Sequence, residues 1–181
     1  MKVLVVVDMQ NDFIDGALGT PEAQAIVPNV KAKIEAAREN GDMIIFTRDT
    51  HDENYLNTME GKRLPVPHCI KDTYGWQITD AIPYNLEDIL NKPTFGSFIL
   101  AEELYGHCYF GNEEDGTEVE EIEFIGLCTD ICVISNVMMT KGYLPNMKIT
   151  VDASCCAGVT PESHKNALEA MKMCHIDIIG E

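Results

Sequence analysis

Residues 122–133 of this 181-residue chain read Ile122-Glu123-Phe124-Ile125-Gly126-Leu127-Cys128-Thr129-Asp130-Ile131-Cys132-Val133. An apolar strand thus runs through a glycine into the start of a helix. Thr129 and Asp130 are suitable N-cap residues, so the sequence predicts that Cys132 lies in the first helical turn. The unpaired N–H groups and the helix dipole there favour a thiolate and could hold an oxyanion. Cys132 is therefore a candidate nucleophile, although a buried structural cysteine would fit the same position.

The alternation of apolar strand and helix continues along the whole chain. Strands are predicted near residues 2–7, 42–47, 87–91, 121–126, 147–151 and 175–179. Helices are predicted over residues 27–40, 97–105, 131–141 and 161–174. This order is typical of a three-layer α/β/α fold with a central, mostly parallel six-stranded sheet. The length of 181 residues predicts a single domain that spans residues 1–181.

Two charged residues at other predicted strand ends could assist a thiol nucleophile. Asp8 follows the unbroken apolar run of residues 3–7, and open α/β sheets build their sites at the carboxyl ends of such strands. Lys92 follows a short apolar segment and precedes Pro93 and a predicted helix. We therefore predict that Asp8 and Lys92 join Cys132, while a capping role for Asp8 and a surface position for Lys92 stay open.

A second group of polar residues has the composition of a metal site. Asp49 and His51 follow the apolar strand near residues 43–46, and His68 could return from the loop beyond them. Aspartate and histidine are ordinary ligands for zinc, and iron or manganese would also accept them. An Asp-x-His pair with a distant histidine also occurs by chance. The irregular stretch of residues 51–84 nevertheless favours a site, because structureless loops of that length are rarely mere connections.

The order of these segments resembles the isochorismatase-like cysteine hydrolases, the superfamily that holds nicotinamidases and N-carbamoylsarcosine amidases. The resemblance covers nearly the whole chain. It implies that Asp8, Lys92 and Cys132 form a catalytic triad and that the backbone N–H groups of Cys128 and Cys132 form the oxyanion hole. It also implies a cis peptide bond between Leu127 and Cys128.

The same resemblance implies a bound metal. In the nicotinamidases that the chain resembles, the positions of Asp49, His51 and His68 bind a divalent metal, and Glu60 matches a further carboxylate ligand of some members. The expected cofactor is therefore a divalent metal such as zinc, with iron or manganese as alternatives.

Three aromatic residues near the motifs are candidates for substrate binding. Phe13, Trp76 and Phe95 could wall a flat ring, and each could also be plain core. Phe13 matches a position that lines the nicotinamide pocket of nicotinamidases. Pro65 stands where those enzymes usually carry an aromatic residue.

These residues predict acyl transfer through a thioester intermediate. Cys132 would attack the carbonyl carbon of a small amide, Asp8 would carry the thiol proton to the departing ammonia, and Lys92 would hold both by its charge. The resemblance favours nicotinamide as the substrate, in nicotinamide salvage, with an N-carbamoyl or ureido compound as the alternative. The non-enzyme alternative is a metal-binding scaffold that has lost turnover, against which the intact triad counts.

Composition excludes several other classes of protein. The formal net charge of −17 argues against nucleic acid as a partner, because phosphate binding needs clustered lysine and arginine. No apolar run approaches the length of a membrane span, and the chain starts in a strand without a basic signal region. Seven cysteines without metal-finger spacing fit a reduced compartment, so the expected location is the cytoplasm.

Two further expectations concern the surface. Members of the family commonly form dimers or tetramers, so the resemblance implies a homo-oligomer. The acidic residues are concentrated at 111–116 and continue with Glu118, Glu120, Glu121 and Glu123. The sequence predicts that this segment is a solvated loop that leads into an inner strand.

Overall fold

The central sheet contains six strands that all run parallel. The computed structural model describes residues 1–110 and 118–181. The strands are β1 (Lys2–Val7), β2 (Met43–Asp49), β3 (Ile89–Lys92), β4 (Glu121–Leu127), β5 (Ile149–Ala157) and β6 (Asp177–Ile179). They pair in the order β3-β2-β1-β4-β5-β6. The order changes direction beside β1, so the carboxyl ends of β1 and β4 flank the crevice where such sheets bind ligands.

Helices cover both faces of the sheet. They are α1 (Asn11–Ile14), α2 (Pro21–Asn40), α3 (Met59–Arg63), α4 (Phe98–Phe110), α5 (Ile134–Tyr143) and α6 (Pro161–Met173). The first two pack on one face, and α4, α5 and α6 pack on the other. Neighbouring side chains of a strand point to opposite faces. Val6 of β1 therefore lies in the core beneath α1 and α2, and Val5 lies in the core beneath α4, α5 and α6. The predicted three-layer α/β/α fold is confirmed.

Several elements are longer than the sequence analysis predicted, among them α2 and β5. Helix α2 begins at Pro21 rather than at residue 27, because the Thr20 hydroxyl accepts the Ala23 N–H at 3.0 Å and caps it. The proline at position 28 lies inside this helix although it cannot donate a backbone hydrogen bond. Strand β5 continues through Asp152 to residue 157. The apolar pattern predicted its end at residue 151, because a charged residue follows.

The acidic stretch is only partly a solvated surface. Its residues 111–116 lie outside the described part of the chain. Glu121 and Glu123 are buried, contrary to the expectation of a solvated segment. They are tolerated because Glu121 pairs with Lys2 at 2.8 Å and Glu123 pairs with Lys33 at 2.6 Å. Thus part of the acidic run belongs to the charge pairs that anchor β4.

No helix in the described residues is both long and apolar enough to cross a membrane. All seven cysteines are free thiols. The homo-oligomer and the cytoplasmic location stay predictions.

Candidate active site

The carboxyl ends of three strands bring the predicted catalytic residues together. Lys92 is the last residue of β3, Asp8 follows β1, and Cys132 lies in a π-helical turn, Thr129–Val133, after β4. The Lys92 Nζ atom lies 2.6 Å from Asp8 Oδ2 and 3.5 Å from Cys132 Sγ. The side chains of Asp8 and Lys92 are 0% exposed. The structure therefore places a carboxylate, an ammonium group and a thiol in one buried cluster.

The carboxylate of Asp8 is held in a fixed orientation. Its Oδ1 atom accepts a hydrogen bond from the Thr47 hydroxyl at 2.7 Å. Its Oδ2 atom faces Lys92 but makes no aligned hydrogen bond with the described residues. Asp8 also adopts a φ of 47°, in the left-handed region that non-glycine residues rarely occupy. One carboxylate oxygen thus stays available for the proton of a neighbouring group.

The charges of the cluster depend on one another. Burial raises the pKa of Asp8, although the charge of Lys92 opposes the shift. Burial alone would lower the pKa of Lys92, but the negative charges around it raise it instead. Burial, together with the Asp8 charge, raises the pKa of Cys132 well above its ordinary value. Burial therefore opposes the helix dipole and the charge of Lys92, both of which favour the thiolate.

The turn that carries Cys132 has an unusual backbone. The peptide bond between Leu127 and Cys128 is cis, as the resemblance implied. The carbonyl oxygen of Cys128 accepts two backbone hydrogen bonds, from Ile131 and Val133, both at 3.0 Å. Gly126 is required just before this turn, because a Cβ atom there would lie 2.1 Å from the Val7 carbonyl oxygen of β1.

Two buried polar residues that the sequence analysis did not single out brace the site. Asn136, four residues after Cys132, donates from Nδ2 to the Cys132 carbonyl oxygen at 2.8 Å. Gln10 donates to the Asp49 carbonyl oxygen at 2.9 Å and accepts the Asp49 N–H at 2.7 Å. Their signal in the sequence is only that each is a polar residue close to a motif. Without the fold, nothing assigns them to the inside of the site.

The predicted metal ligands also meet. One ligand atom from each of Asp49, His51 and His68 lies within 4.8 Å of the others. The Oδ2 atom of Asp49 is 2.9 Å from His51 Nε2 and 3.7 Å from His68 Nε2. The Oε1 atom of Glu60 lies 3.6 Å from the Nε2 atom of each histidine. Two imidazoles and the Asp49 carboxylate therefore form one cluster, and the Glu60 carboxylate lies beside both imidazoles.

This donor set fits a divalent metal. The Nε2 atom of His51 is buried and makes no aligned hydrogen bond with the described residues. The Nδ1 atom of His68 lies 2.8 Å from the Val66 carbonyl oxygen, a contact that fixes Nδ1 as the protonated nitrogen and leaves Nε2 as a ligand. Buried polar atoms that lack protein partners are usual where an ion binds.

A cavity of about 740 Å³ connects the metal ligands with the nucleophile. Its lining includes both groups and two of the predicted aromatic residues: Phe13, Asp49, His68, Phe95, Cys128 and Cys132. Most of the remaining lining side chains are apolar. The cavity could therefore hold a small, largely apolar molecule with its carbonyl group at Cys132.

The third predicted aromatic residue, Trp76, does not line this cavity. Its Nε1 atom donates to the Thr50 hydroxyl at 2.8 Å, and the guanidinium of Arg48 lies 3.4 Å from the ring centroid. Its carbonyl oxygen accepts from Gln10 Nε2 at 2.9 Å. Trp76 therefore supports the strand end that carries Asp49 and lies outside the lining of the cavity.

Known proteins are similar to this chain in sequence and in fold. The sequence profile of the isochorismatase domain matches residues 2–180. A probable inactive nicotinamidase of Arabidopsis thaliana is 30% identical, over 93% of this chain and 87% of the relative. A nicotinamidase of Saccharomyces cerevisiae is 22% identical over 100% of both chains. The crystal structure of a pyrazinamidase of Pyrococcus horikoshii in complex with zinc superposes with a TM-score of 0.79 at 29% identity and covers 99% of each chain.

Proposed function

The chain belongs to the isochorismatase family, as a nicotinamidase-like hydrolase of amide C–N bonds, and we propose that it uses Cys132 to release ammonia from nicotinamide. The observation that carries this proposal is the buried cluster in which Lys92 Nζ contacts both Asp8 and Cys132 beside a cavity. A surface ion pair would not need a thiol as its neighbour. The match over residues 2–180 supports a single domain along the chain.

The proposed reaction starts with a proton transfer. The Cys132 thiol gives its proton to Asp8 Oδ2, and the sulfur attacks the carbonyl carbon of the amide. Asp8, now protonated, donates that proton to the nitrogen, the C–N bond breaks, and ammonia leaves a thioester on Cys132. Water then attacks the thioester, Asp8 accepts a proton from that water, and the proton returns to the sulfur as the acid departs. The raised pKa of Asp8 suits it to carry the proton both ways.

Lys92 and two backbone groups stabilise the charges that develop. The ammonium group of Lys92, 3.5 Å from the sulfur, offsets the negative charge of the thiolate when the proton leaves. The N–H groups of Cys128 and Cys132, at the start of the π-helical turn, are the proposed oxyanion donors. One such donor is worth about 3 kcal/mol of transition-state stabilisation, so the turn matters nearly as much as the triad.

We propose that Asp49, His51 and His68 bind a metal ion, with Glu60 as the fourth ligand, and that the ion is zinc. Nitrogen and carboxylate ligands in this number are those that zinc prefers, and iron or manganese would also accept them. When bound, the ion supplies a Lewis-acidic position for a ring nitrogen of the substrate. The Phe13 ring, whose centroid is 5.5 Å from that of His68, would then lie against the substrate ring.

Ammonia release from a panel of amides tests the function. With zinc-loaded protein, we expect turnover of nicotinamide and pyrazinamide and slower turnover of N-carbamoylglycine, measured by coupled ammonia detection. Turnover of the carbamoyl compound alone would uphold the hydrolase activity and exclude nicotinamide as the substrate. No turnover of any compound would contradict the proposal and favour the scaffold alternative. The Arabidopsis relative is itself named a probable inactive nicotinamidase.

Removal of the metal is expected to lower thermal stability. An ion that binds only the folded state adds about 2.7 kcal/mol to the free energy of unfolding at a hundredfold excess over Kd. Chelator-treated protein should therefore gain several degrees in Tm on addition of zinc, measured by differential scanning calorimetry.

A matched pair of histidine variants controls this experiment. His51→Ala should abolish most of the zinc-dependent gain in Tm, whereas His107→Ala, on α4 and outside the donor set, should keep it. An equal gain in both variants would place the zinc elsewhere.

A further inference from the structure

Arg63 places a positive charge on the wall of the active-site cavity. It is the last residue of α3, it is exposed, and it forms no ion pair or side-chain hydrogen bond with the described residues. The chain has 30 acidic residues and only 13 lysines and arginines. Six of these thirteen pair with a carboxylate in the described residues, and Arg63 is not among them. The guanidinium of Arg63 is therefore available to a ligand.

Helix α3 is held against Tyr55 by close backbone packing and hydrogen bonds. Its N-terminus is capped by Thr58, whose hydroxyl accepts the Gly61 N–H at 3.0 Å. A Cβ atom at Gly61 would lie 2.1 Å from the carbonyl oxygen of Tyr55, so the absence of a side chain lets the helix pack this closely. The Tyr55 hydroxyl in turn donates to the Leu64 carbonyl oxygen at 2.9 Å, directly after Arg63. The position of the Arg63 backbone is thus well defined.

One face of α3 forms part of the cavity wall. Met59, Glu60, Arg63 and Leu64 all line it, at the spacing of one helical face. Glu60 reaches the two metal-ligand histidines, and Arg63 follows one turn later. Among the described lining residues, Arg63 is the only lysine or arginine. The cavity wall therefore carries metal ligands and, among its described lining residues, the one positive charge of Arg63.

The cavity is larger than a single-ring amide requires. Its volume of about 740 Å³ lies in the upper part of the range of roughly 300–1,000 Å³ for sites that take drug-sized ligands. A pyridine carboxamide with its carbonyl at Cys132 would leave much of this space unfilled. The wall that α3 forms, with Arg63 on it, bounds the same cavity.

We propose that the preferred substrates are primary amides that carry an acidic group, a carboxylate or a phosphate, and that Arg63 binds this group while Cys132 attacks the amide. The inference rests on the proposed amidase function and narrows its substrate class. A guanidinium group binds both kinds of anion through two parallel hydrogen bonds, which orient the ligand as well as attract it. Arg63 then determines specificity and takes no part in bond breaking.

A set of ring amides that differ only in one substituent tests this proposal. The probes are pyridine-3-carboxamides with a carboxylate, a phosphonate or a methyl ester at ring position 5. We expect kcat/KM to be higher for at least one acid than for the neutral ester. The ratio of kcat/KM for the acid to kcat/KM for the ester should fall at least tenfold in Arg63→Gln. It should fall less in Arg63→Lys, which keeps the positive charge but cannot form two parallel hydrogen bonds to one anion.

The matched control is Lys62→Gln. Lys62 is exposed, adjacent in sequence and not part of the cavity lining, so its loss changes the net charge equally without touching the site. The acid-to-ester ratio should stay within twofold of the wild-type value in this variant. The carboxylate and phosphonate probes distinguish which anion the site prefers.

Binding to Cys132→Ala protein separates this inference from the proposed function. Isothermal titration calorimetry should give a Kd for the acid probe that is at least tenfold lower than for the ester, and Arg63→Gln should remove the difference. Equal affinity for acid and ester, or a difference that survives Arg63→Gln, overturns the inference even if nicotinamide is hydrolysed. Arg63-dependent binding without hydrolysis of any probe would uphold the anion site and overturn the amidase function.

Discussion

Cys132→Ala is expected to lower kcat for amide hydrolysis by a factor of about 10⁴ or more, because no other group can form the thioester. The sulfur is the atom that Lys92 Nζ contacts at 3.5 Å and that lines the cavity. Stability should change little, since alanine removes only one small buried atom beside an intact pair of charges. Steady-state ammonia release and urea unfolding measure the two effects.

The control for this variant is Cys174→Ala. Cys174 is exposed, directly follows α6 and is not one of the residues that line the cavity. Its replacement removes one of seven thiols without altering the cluster, so kcat should stay within about twofold, as for most surface substitutions. If Cys132→Ala kept more than a few per cent of the wild-type kcat, the chain would hydrolyse amides without a covalent intermediate on that residue.

The meeting of Asp8, Lys92 and Cys132 could be predicted from the sequence because each lies at or near a strand end. Asp8 and Lys92 come directly at the ends of apolar runs, and Cys132 follows another within a few residues. Parallel strands bring their carboxyl ends to one edge, so residues far apart in sequence meet there. The same logic placed Asp49 and His51 beside them.

The residues that prediction missed are those whose role depends on packing. Asn136 and Gln10 hold backbone groups of the site, but a polar residue beside a motif looks the same in the sequence whether it is solvated or buried. Trp76 was expected at the substrate because it is aromatic, yet its ring lies under Arg48. Composition reports the kind of side chain and not the direction in which it points.

The start of α2 and the buried acids were predicted wrongly for another reason, which is that local preference was overruled. A proline disfavours a helix interior, but the cap at Thr20 and the apolar face of α2 outweigh the one lost hydrogen bond. A glutamate favours solvent, but Lys33 pairs at 2.6 Å with Glu123 and at the same distance with Asp152. Both cases needed partners that are distant in sequence.

Asp8→Asn is expected to lower kcat by about 10²–10⁴, the usual worth of a general acid–base group. It should also lower the free energy of unfolding by roughly 3–5 kcal/mol, because it leaves the buried Lys92 ammonium without its partner. Asp49 Oδ1, 3.9 Å from Lys92 Nζ, can compensate only in part. Urea unfolding of chelator-treated protein measures the change without a contribution from metal.

The double variant Asp8→Asn/Lys92→Met separates the two roles of the pair. Methionine has a similar length and no charge, so the uncompensated ammonium disappears and most of the lost stability should return, while kcat stays at the level of Asp8→Asn or below. Asp152→Asn is the reverse control: it removes one of the two carboxylates that pair with Lys33, away from the site, so it should reduce stability with little change in kcat. A double variant no more stable than Asp8→Asn would mean that the loss does not come from a stranded charge on Lys92. In that case the 2.6 Å contact would not be the interaction that holds the catalytic cluster together.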